Sequence, residues 1–271
     1  MDPMNCQRPH WRECIDETAA RLKHSARILV ASDYDGTLSH LVDHPSMAVL
    51  APGAPRVIAD IAELHPRVRL AFLSGRSLED LEPRLGIVPD NVVLAGNHGL
   101  EVSGARMDWT HPAGVSARPQ LAGLAETLQE RLGSIAGVEI EDKGASLTLH
   151  YRRMAPSDLP MLHEIVDGLV IPGQLRMHKG NKVFEFRPRV NWNKGMAIRR
   201  IMRRFGIPDE AVVYLGDDLT DEDVFRELEP SAITVHVGSG SDRSSARLNA
   251  DDPTDAVAFL RVLASSIGLA R

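Results

Sequence analysis

The sequence predicts an α/β fold, a Rossmann-like parallel-sheet core interrupted by a smaller inserted α+β unit. Three observations predict it. Apolar runs such as Ile28-Leu29-Val30-Ala31-Ser32 alternate with stretches whose apolar residues recur at helical spacing. That order marks βαβ units, whose crossover helices make neighbouring strands parallel. In 138–143, 146–152 and 182–187 polarity instead alternates residue by residue, as in antiparallel strands with one face covered. A length of 271 residues allows one large or two modest domains. The core is therefore assigned to 1–112 and 189–271, and the insertion to 113–188.

In chain order, residues 1–10 are expected to be loose, and Ile15, Ala19 and Leu22 face a helix over about 11–23. The first strand, 28–32, runs into Asp33-Tyr34-Asp35-Gly36-Thr37-Leu38. Pro52-Gly53 precedes a helix faced by Val57, Ile58, Ile61 and Leu64. A second strand over 67–73 ends at Ser74-Gly75-Arg76, followed by a helix over about 77–85 and a strand over 92–95. The insertion is expected to hold a helix over about 118–132, strands over 138–143 and 146–152, a helix over about 157–170 and a strand over 182–187. The core resumes at Asn193-Lys194-Gly195, which opens a helix faced by Ala197, Ile198, Ile201, Met202 and Phe205. A strand over 211–215, an acidic loop, a strand over 232–237 and a helix over about 254–267 complete the chain. Hinges are expected near 111–117 and 187–192, where Pro112-Ala113-Gly114 and Arg187-Pro188 interrupt the patterns.

A net charge of −6 argues against a nucleic-acid-binding surface and suits a cytosolic metabolic enzyme. Cys6 and Cys14 are too few for a disulfide framework, which points to a reducing compartment. No apolar run reaches membrane-spanning length, and the first 25 residues lack the apolar stretch of a signal peptide. The expectation is a cytoplasmic protein with neither nucleic acid nor membrane as partner.

Two carboxylates two residues apart, Asp33 and Asp35, stand where a strand gives way to a glycine-containing loop. They repel and are partly desolvated, so each needs a partner, and a hard divalent cation such as Mg²⁺ suits oxygen ligands. Gly36 permits a sharp exit that turns loop amides towards an anion. Asp33, Ser74 and Asp217 each follow the C-terminal end of an apolar strand, the edge at which open α/β sheets bind ligands. Asp33, Asp35, Asp217 and Asp221 would then crowd together, with Ser74 and Lys194 offering a hydroxyl and an ammonium to phosphate oxygens. Singly, each has an ordinary explanation: a turn, a solvated helix start, an acidic N-cap. Their agreement in position and order argues for a site.

DYDGTL (33–38), SGR (74–76), the Lys194 segment and GDDLTDED (216–223) resemble the four motifs of the haloacid dehalogenase superfamily of phosphotransferases. GNHGLE (96–101), EDKGASLTLHYR (141–152), KVFEFRPRVNWNKGMA (182–197) and YLGDDLTDEDVF (214–225) resemble, more narrowly, trehalose-6-phosphate phosphatases. The likeness runs from 28 to about 260 and implies the haloacid dehalogenase fold with an inserted cap domain. It implies Mg²⁺-dependent hydrolysis of trehalose 6-phosphate, a step of trehalose biosynthesis, with Asp33 as nucleophile forming an aspartyl-phosphate. Asp35 would act as acid and then base. The metal would be held by the side chains of Asp33 and Asp217 and the carbonyl of Asp35, with Asp221 and Asp218 supporting it. Ser74 and Lys194 would hold the non-bridging phosphate oxygens. Tyr34, Thr37, Gly75 and Arg76 are counted with them as substrate-binding.

The insertion resembles the cap that closes over the sugar in this family. The resemblance implies Glu141, Lys143, Arg152, Lys182 and Glu185 as contacts of the glucosyl units, with Asn97 and His98 lining the same crevice. Within the superfamily, another sugar-phosphate phosphatase or a phosphomannomutase-like enzyme is the alternative. A non-catalytic sugar-phosphate sensor is a third reading, against which the retention of Asp33, Asp35, Lys194 and Asp217 speaks. The expected partner is a small sugar phosphate, with functional pairing to a trehalose-6-phosphate synthase.

Overall fold

A computed structural model describes residues 8–42, 44–86, 89–239 and 244–268, so Cys6 and the first seven residues lie outside the described part. The strands are β1 (Ile28–Ser32), β2 (Val68–Leu73), β3 (Val92–Gly96), β4 (Glu101–Gly104), β5 (Met107–Thr110), β6 (Glu139–Asp142), β7 (Leu147–His150), β8 (Leu175–Gly180), β9 (Val183–Pro188), β10 (Val212–Gly216), β11 (Ile233–Val237) and β12 (Leu248–Ala250). The helices are α1 (Trp11–Lys23), α2 (Ala54–Ala62), α3 (Leu78–Leu85), α4 (Pro112–Leu132), α5 (Leu159–Asp167), α6 (Lys194–Phe205), α7 (Glu222–Leu228) and α8 (Pro253–Gly268). They pack as two units, Met1–Asp108 with Trp192–Arg271, and Trp109–Asn191.

In the larger unit β1, β3, β10 and β11 are buried along their whole length, as continuous apolar strands covered on both faces must be. The eight-stranded sheet has the order β12-β11-β10-β1-β2-β3-β4-β5, parallel from β12 to β3 and turning antiparallel at β4. On one face Val57, Ile58 and Ile61 of α2 and Phe259, Leu260 and Leu263 of α8 pack with Val30, Leu70, Phe72 and Val213. This is the α/β core that the strand and helix periodicities predict. Helix α1 is fastened to α8: Trp11 meets Phe259 edge-on, and Asp255 accepts from Trp11 Nε1 and His10 Nε2, both at 2.9 Å.

The smaller unit is an antiparallel sheet of order β6-β7-β9-β8. Its alternation puts Leu147, Leu149, Phe184, Phe186 and Leu175 into a core with Leu121, Leu128, Leu162 and Val166 of α4 and α5. Two features depart from the sequence expectation. Pro112-Ala113-Gly114 does not interrupt the secondary structure; it forms the first turn of α4, six residues earlier than expected, with Pro112 at the helix start and His111 capping the Ala113 N–H at 3.1 Å. Strand β8 was not anticipated, nor were the short β4, β5 and β12.

Candidate active site

Strands β1, β2 and β10 lie side by side, Ser32 opposite both Phe72 and Leu215, so their next residues emerge at one edge of the sheet. Asp33 follows β1, and its N–H donates to the Leu215 carbonyl at 2.9 Å. Ser74 follows β2 and Asp217 follows β10. Gly36 has φ +82, and a Cβ there would fall 2.0 Å from Asp217 Oδ2. Only glycine lets that carboxylate come so close to the turn after Asp33. Thr37 donates to Asp217 Oδ1 at 2.9 Å, so its hydroxyl orients this acid. Asp33, Asp217 and Asp221 each offer a carboxylate oxygen within 4.8 Å of the others.

Lys194 opens α6, whose first turn is capped by Asn193 Oδ1 on Met196 N–H at 3.0 Å. Its side chain is 2 % exposed and donates to Asp33 Oδ1 at 2.9 Å and to Asp221 Oδ1 at 2.8 Å. Burial works to lower the lysine, but Asp221 and Asp33 hold it well above the usual range. Asp221 also accepts from Tyr214 Oη at 2.6 Å and, on Oδ2, from the N–H groups of Asp217 and Asp218 at 3.0 and 3.2 Å. Tyr214, which sequence reading missed, is therefore part of the site. Asp218 Oδ1 accepts from Thr220 N–H at 2.8 Å and Asp221 N–H at 3.1 Å, shaping the turn before α7. Burial raises Asp33 well above the carboxylate range against the pull of Lys194. Burial and the neighbouring Asp221 and Asp218 push Asp217 up to about 7.

This donor set fits a hard dication. Fully ionised, Asp33, Asp217 and Asp221 would set three negative charges against one on Lys194, and burial, against the pull of Lys194, holds all three acids up in the absence of a cation. Their all-oxygen ligands match Mg²⁺.

Asp35 lies apart from this cluster in its contacts, its carboxylate paired with Arg76 through two hydrogen bonds of 2.6 and 2.7 Å. Tyr34 is fully buried in the core, so its ring is no ligand contact. Ser74 Oγ accepts from Arg76 N–H at 3.1 Å. The GNHG turn is laced to the SGR loop: His98 N–H donates to Ser74 O at 2.8 Å and Asn97 N–H to Arg76 O at 2.7 Å. Asn97 and His98 have left-handed φ of 50° and 55°. A Cβ on Gly75 would fall 2.8 Å from the His98 ring. Burial works to raise Asp218, but Lys194 and the hydrogen bond from Thr220 hold it well below the carboxylate range. Asn97 is buried with its amide on Glu101 at 2.9 Å.

In the smaller unit Thr148 pairs across with Glu141 on one side and Glu185 on the other, and Glu185 pairs with His178. These four therefore share one polar face. His150 Nε2 lies 2.8 Å from Glu141 Oε2, Lys143 Nζ 3.6 Å from the same oxygen, and Glu185 is ion-paired with Arg187. Arg152 and Lys182 fall at the opposite end of this sheet from Lys143, both exposed, with Arg152 donating to Asn181 O at 3.0 Å. Sequence reading missed Thr148, Arg176 and His178 on this face; the alternation Leu175-Arg176-Met177-His178 was the available signal.

A family model described as Trehalose-phosphatase matches residues 31–257. The chain belongs to the trehalose-phosphatase family. A trehalose-phosphate phosphatase of Mycobacterium marinum is 35% identical over 252 residues, 89% of this chain. The chain spans 62% of that relative's length. Among solved structures, the C-terminal domain of a Candida albicans trehalose-6-phosphate phosphatase is 25% identical with a TM-score of 0.74, covering 96% of this chain and 99% of that one. The C-terminal domain of a Candida albicans trehalose synthase regulatory protein shares the fold, at 14% identity and a TM-score of 0.67, over 95% of this chain and 100% of that one. Membership of the trehalose-phosphatase family accounts for the four motifs that meet at the sheet edge. Among the described residues no helix is long and apolar enough to cross a membrane.

Proposed function

We propose that this chain hydrolyses trehalose 6-phosphate to trehalose and phosphate, with Mg²⁺ as cofactor and an aspartyl-phosphate on Asp33. The observation that carries this reading is the buried Asp33 carboxylate, held by Lys194 at 2.9 Å beside Asp217 and Asp221, in a member of the trehalose-phosphatase family. In the first step Asp33 attacks phosphorus in line, the phosphorus–sugar oxygen bond breaks, and Asp35 protonates the departing oxygen. In the second, Asp35 takes a proton from water, the water oxygen bonds to phosphorus, and the Asp33–phosphorus bond breaks. Phosphate leaves and the Asp33 carboxylate is restored. Lys194 and Ser74 hold the non-bridging oxygens, where charge gathers in the transition state. Asp33, Asp217 and the Asp35 carbonyl would hold Mg²⁺, whose charge lets a dianionic phosphoryl group approach a carboxylate.

Sugar selection is assigned to the polar face of the 109–191 unit through Glu141, Lys143 and Glu185. The setting proposed is the cytoplasm, with a synthase supplying the substrate. The deciding experiment is phosphate release from trehalose 6-phosphate with and without magnesium, by wild type and Asp33→Asn. The expected result is magnesium dependence and a loss of at least about a thousandfold in the variant; an unimpaired variant removes the nucleophile. Glu185→Gln is expected to raise KM for trehalose 6-phosphate about tenfold while leaving p-nitrophenyl phosphate hydrolysis unchanged, separating sugar recognition from phosphoryl chemistry.

A further inference from the structure

Arg76 donates from Nε to Asp35 Oδ2 at 2.7 Å and from Nη2 to Oδ1 at 2.6 Å, gripping both carboxylate oxygens. The same guanidinium reaches Asp80 Oδ2 through Nη1 at 2.5 Å and the Pro45 carbonyl through Nη2 at 2.9 Å. Asp80 sits in the first turn of α3 and is held by Arg84 Nη2 at 2.8 Å. Arg84 also donates to the carbonyls of Ser46 and Ala48, at 3.2 and 3.3 Å. The Arg76 side chain is 8 % exposed, and its charge lies over the buried Tyr34 ring. All three of its nitrogens are thus engaged within the protein, in an alternating row Asp35–Arg76–Asp80–Arg84 that also straps the 44–48 segment.

A planar fork on both oxygens sets the torsions of a carboxylate, which the point charge of a lysine cannot do. The fork is useful only if it is itself immobile, and Asp80 with Arg84 immobilises it from the helix side. We propose that Arg76 is a positioning residue: it aims the Asp35 carboxyl for proton transfer to and from the reacting oxygens, with Asp80 and Arg84 holding Arg76 in place, and it does not grip the substrate phosphate. This replaces the substrate-binding role that the SGR motif suggests for Arg76.

Because this presupposes Asp35 as acid and base of the proposed phosphatase, the test separates the two. The value of kcat/KM covers steps up to departure of the leaving group. A sugar alkoxide needs a proton to depart, whereas p-nitrophenolate leaves as the anion. For Arg76→Gln, kcat/KM on trehalose 6-phosphate is expected to fall about a hundredfold, the effect of a misplaced catalytic group, with KM within about twofold. On p-nitrophenyl phosphate it is expected to fall less than about fivefold. Asp80→Asn, which leaves the Asp35 pairing atoms intact, should show the same split at about tenfold, and it decides the matter if Arg76→Gln does not fold. Equal losses on both substrates, a change mainly in KM, or no change would each overturn the proposal. Asp35→Asn is the control. If it hydrolyses trehalose 6-phosphate normally, the proposed chemistry fails; if it shows the split and the Arg76 and Asp80 variants do not, only the positioning role fails.

Discussion

At the scale of single residues, Lys194 donates to two buried acids at once, Asp33 and Asp221. Lys194→Met is expected to lower kcat by about 100- to 1,000-fold, the loss seen when one transition-state donor is removed. It also strands both carboxylates, at a cost of about 3–5 kcal/mol, so metal-free protein should melt earlier by calorimetry. Added Mg²⁺ is expected to return part of that loss, since a ligand of the folded state stabilises it. Gly36 supplies a second test. A methyl group there meets Asp217 Oδ2 at 2.0 Å in a left-handed backbone, so the acid must move. Gly36→Ala is expected to fold, but to need at least about tenfold more magnesium for half-maximal activity. A magnesium titration unchanged from wild type would refute that.

At the scale of elements, helix α1 depends on one buried carboxylate of α8. Burial pushes Asp255 up, but hydrogen bonds from the Asp251 N–H, Trp11, His10 and Arg12 outweigh it and hold the group below the usual carboxylate range. A folded-state value below the unfolded one of about 3.9 stabilises at higher pH, and the gain fades as pH falls through the folded value. Asp255→Asn is therefore expected to lose about 1–3 kcal/mol at pH 7 and to approach wild type as pH falls through the depressed folded-state value, followed by thermal melts across pH. The elements that were legible in the sequence share a physical cause. Strands β1, β2 and β10 are buried enough to read as apolar runs, so the sequence alone places Asp33, Ser74 and Asp217 at their ends. The smaller unit was harder to read. Strand β8 carries Arg176, His178 and Lys179 against two apolar residues, and α4 begins on a Pro-Ala-Gly triplet that resembles a loop unless the capping role of His111 is seen. The pairing of Asp35 with Arg76, and of Asp221 with Tyr214, was hidden because such contacts cross loops and helices with no fixed spacing in the chain.

At the scale of the whole molecule, the apolar cluster around α2 and α8 and the one around Leu149, Phe184 and Phe186 share no residue. Phe184→Ala is expected to destabilise the smaller unit by about 3–5 kcal/mol, the usual cost of truncating a buried aromatic ring. Hydrogen exchange should place the loss of protection within 109–191, with β1 and β10 protected as in wild type. Loss spread evenly over both units would contradict separate cores. The sheet order gives this division a further meaning. Three strands, β2, β3 and β4, stand between β1, which leads to Asp33, and β5, where the chain passes into the smaller unit. The chain enters the smaller unit at β5 and returns at Trp192, two residues before Lys194 opens α6. An exchange of 109–191 that stops short of Trp192 would leave Lys194 in one inherited unit with Asp33, Asp217 and Asp221.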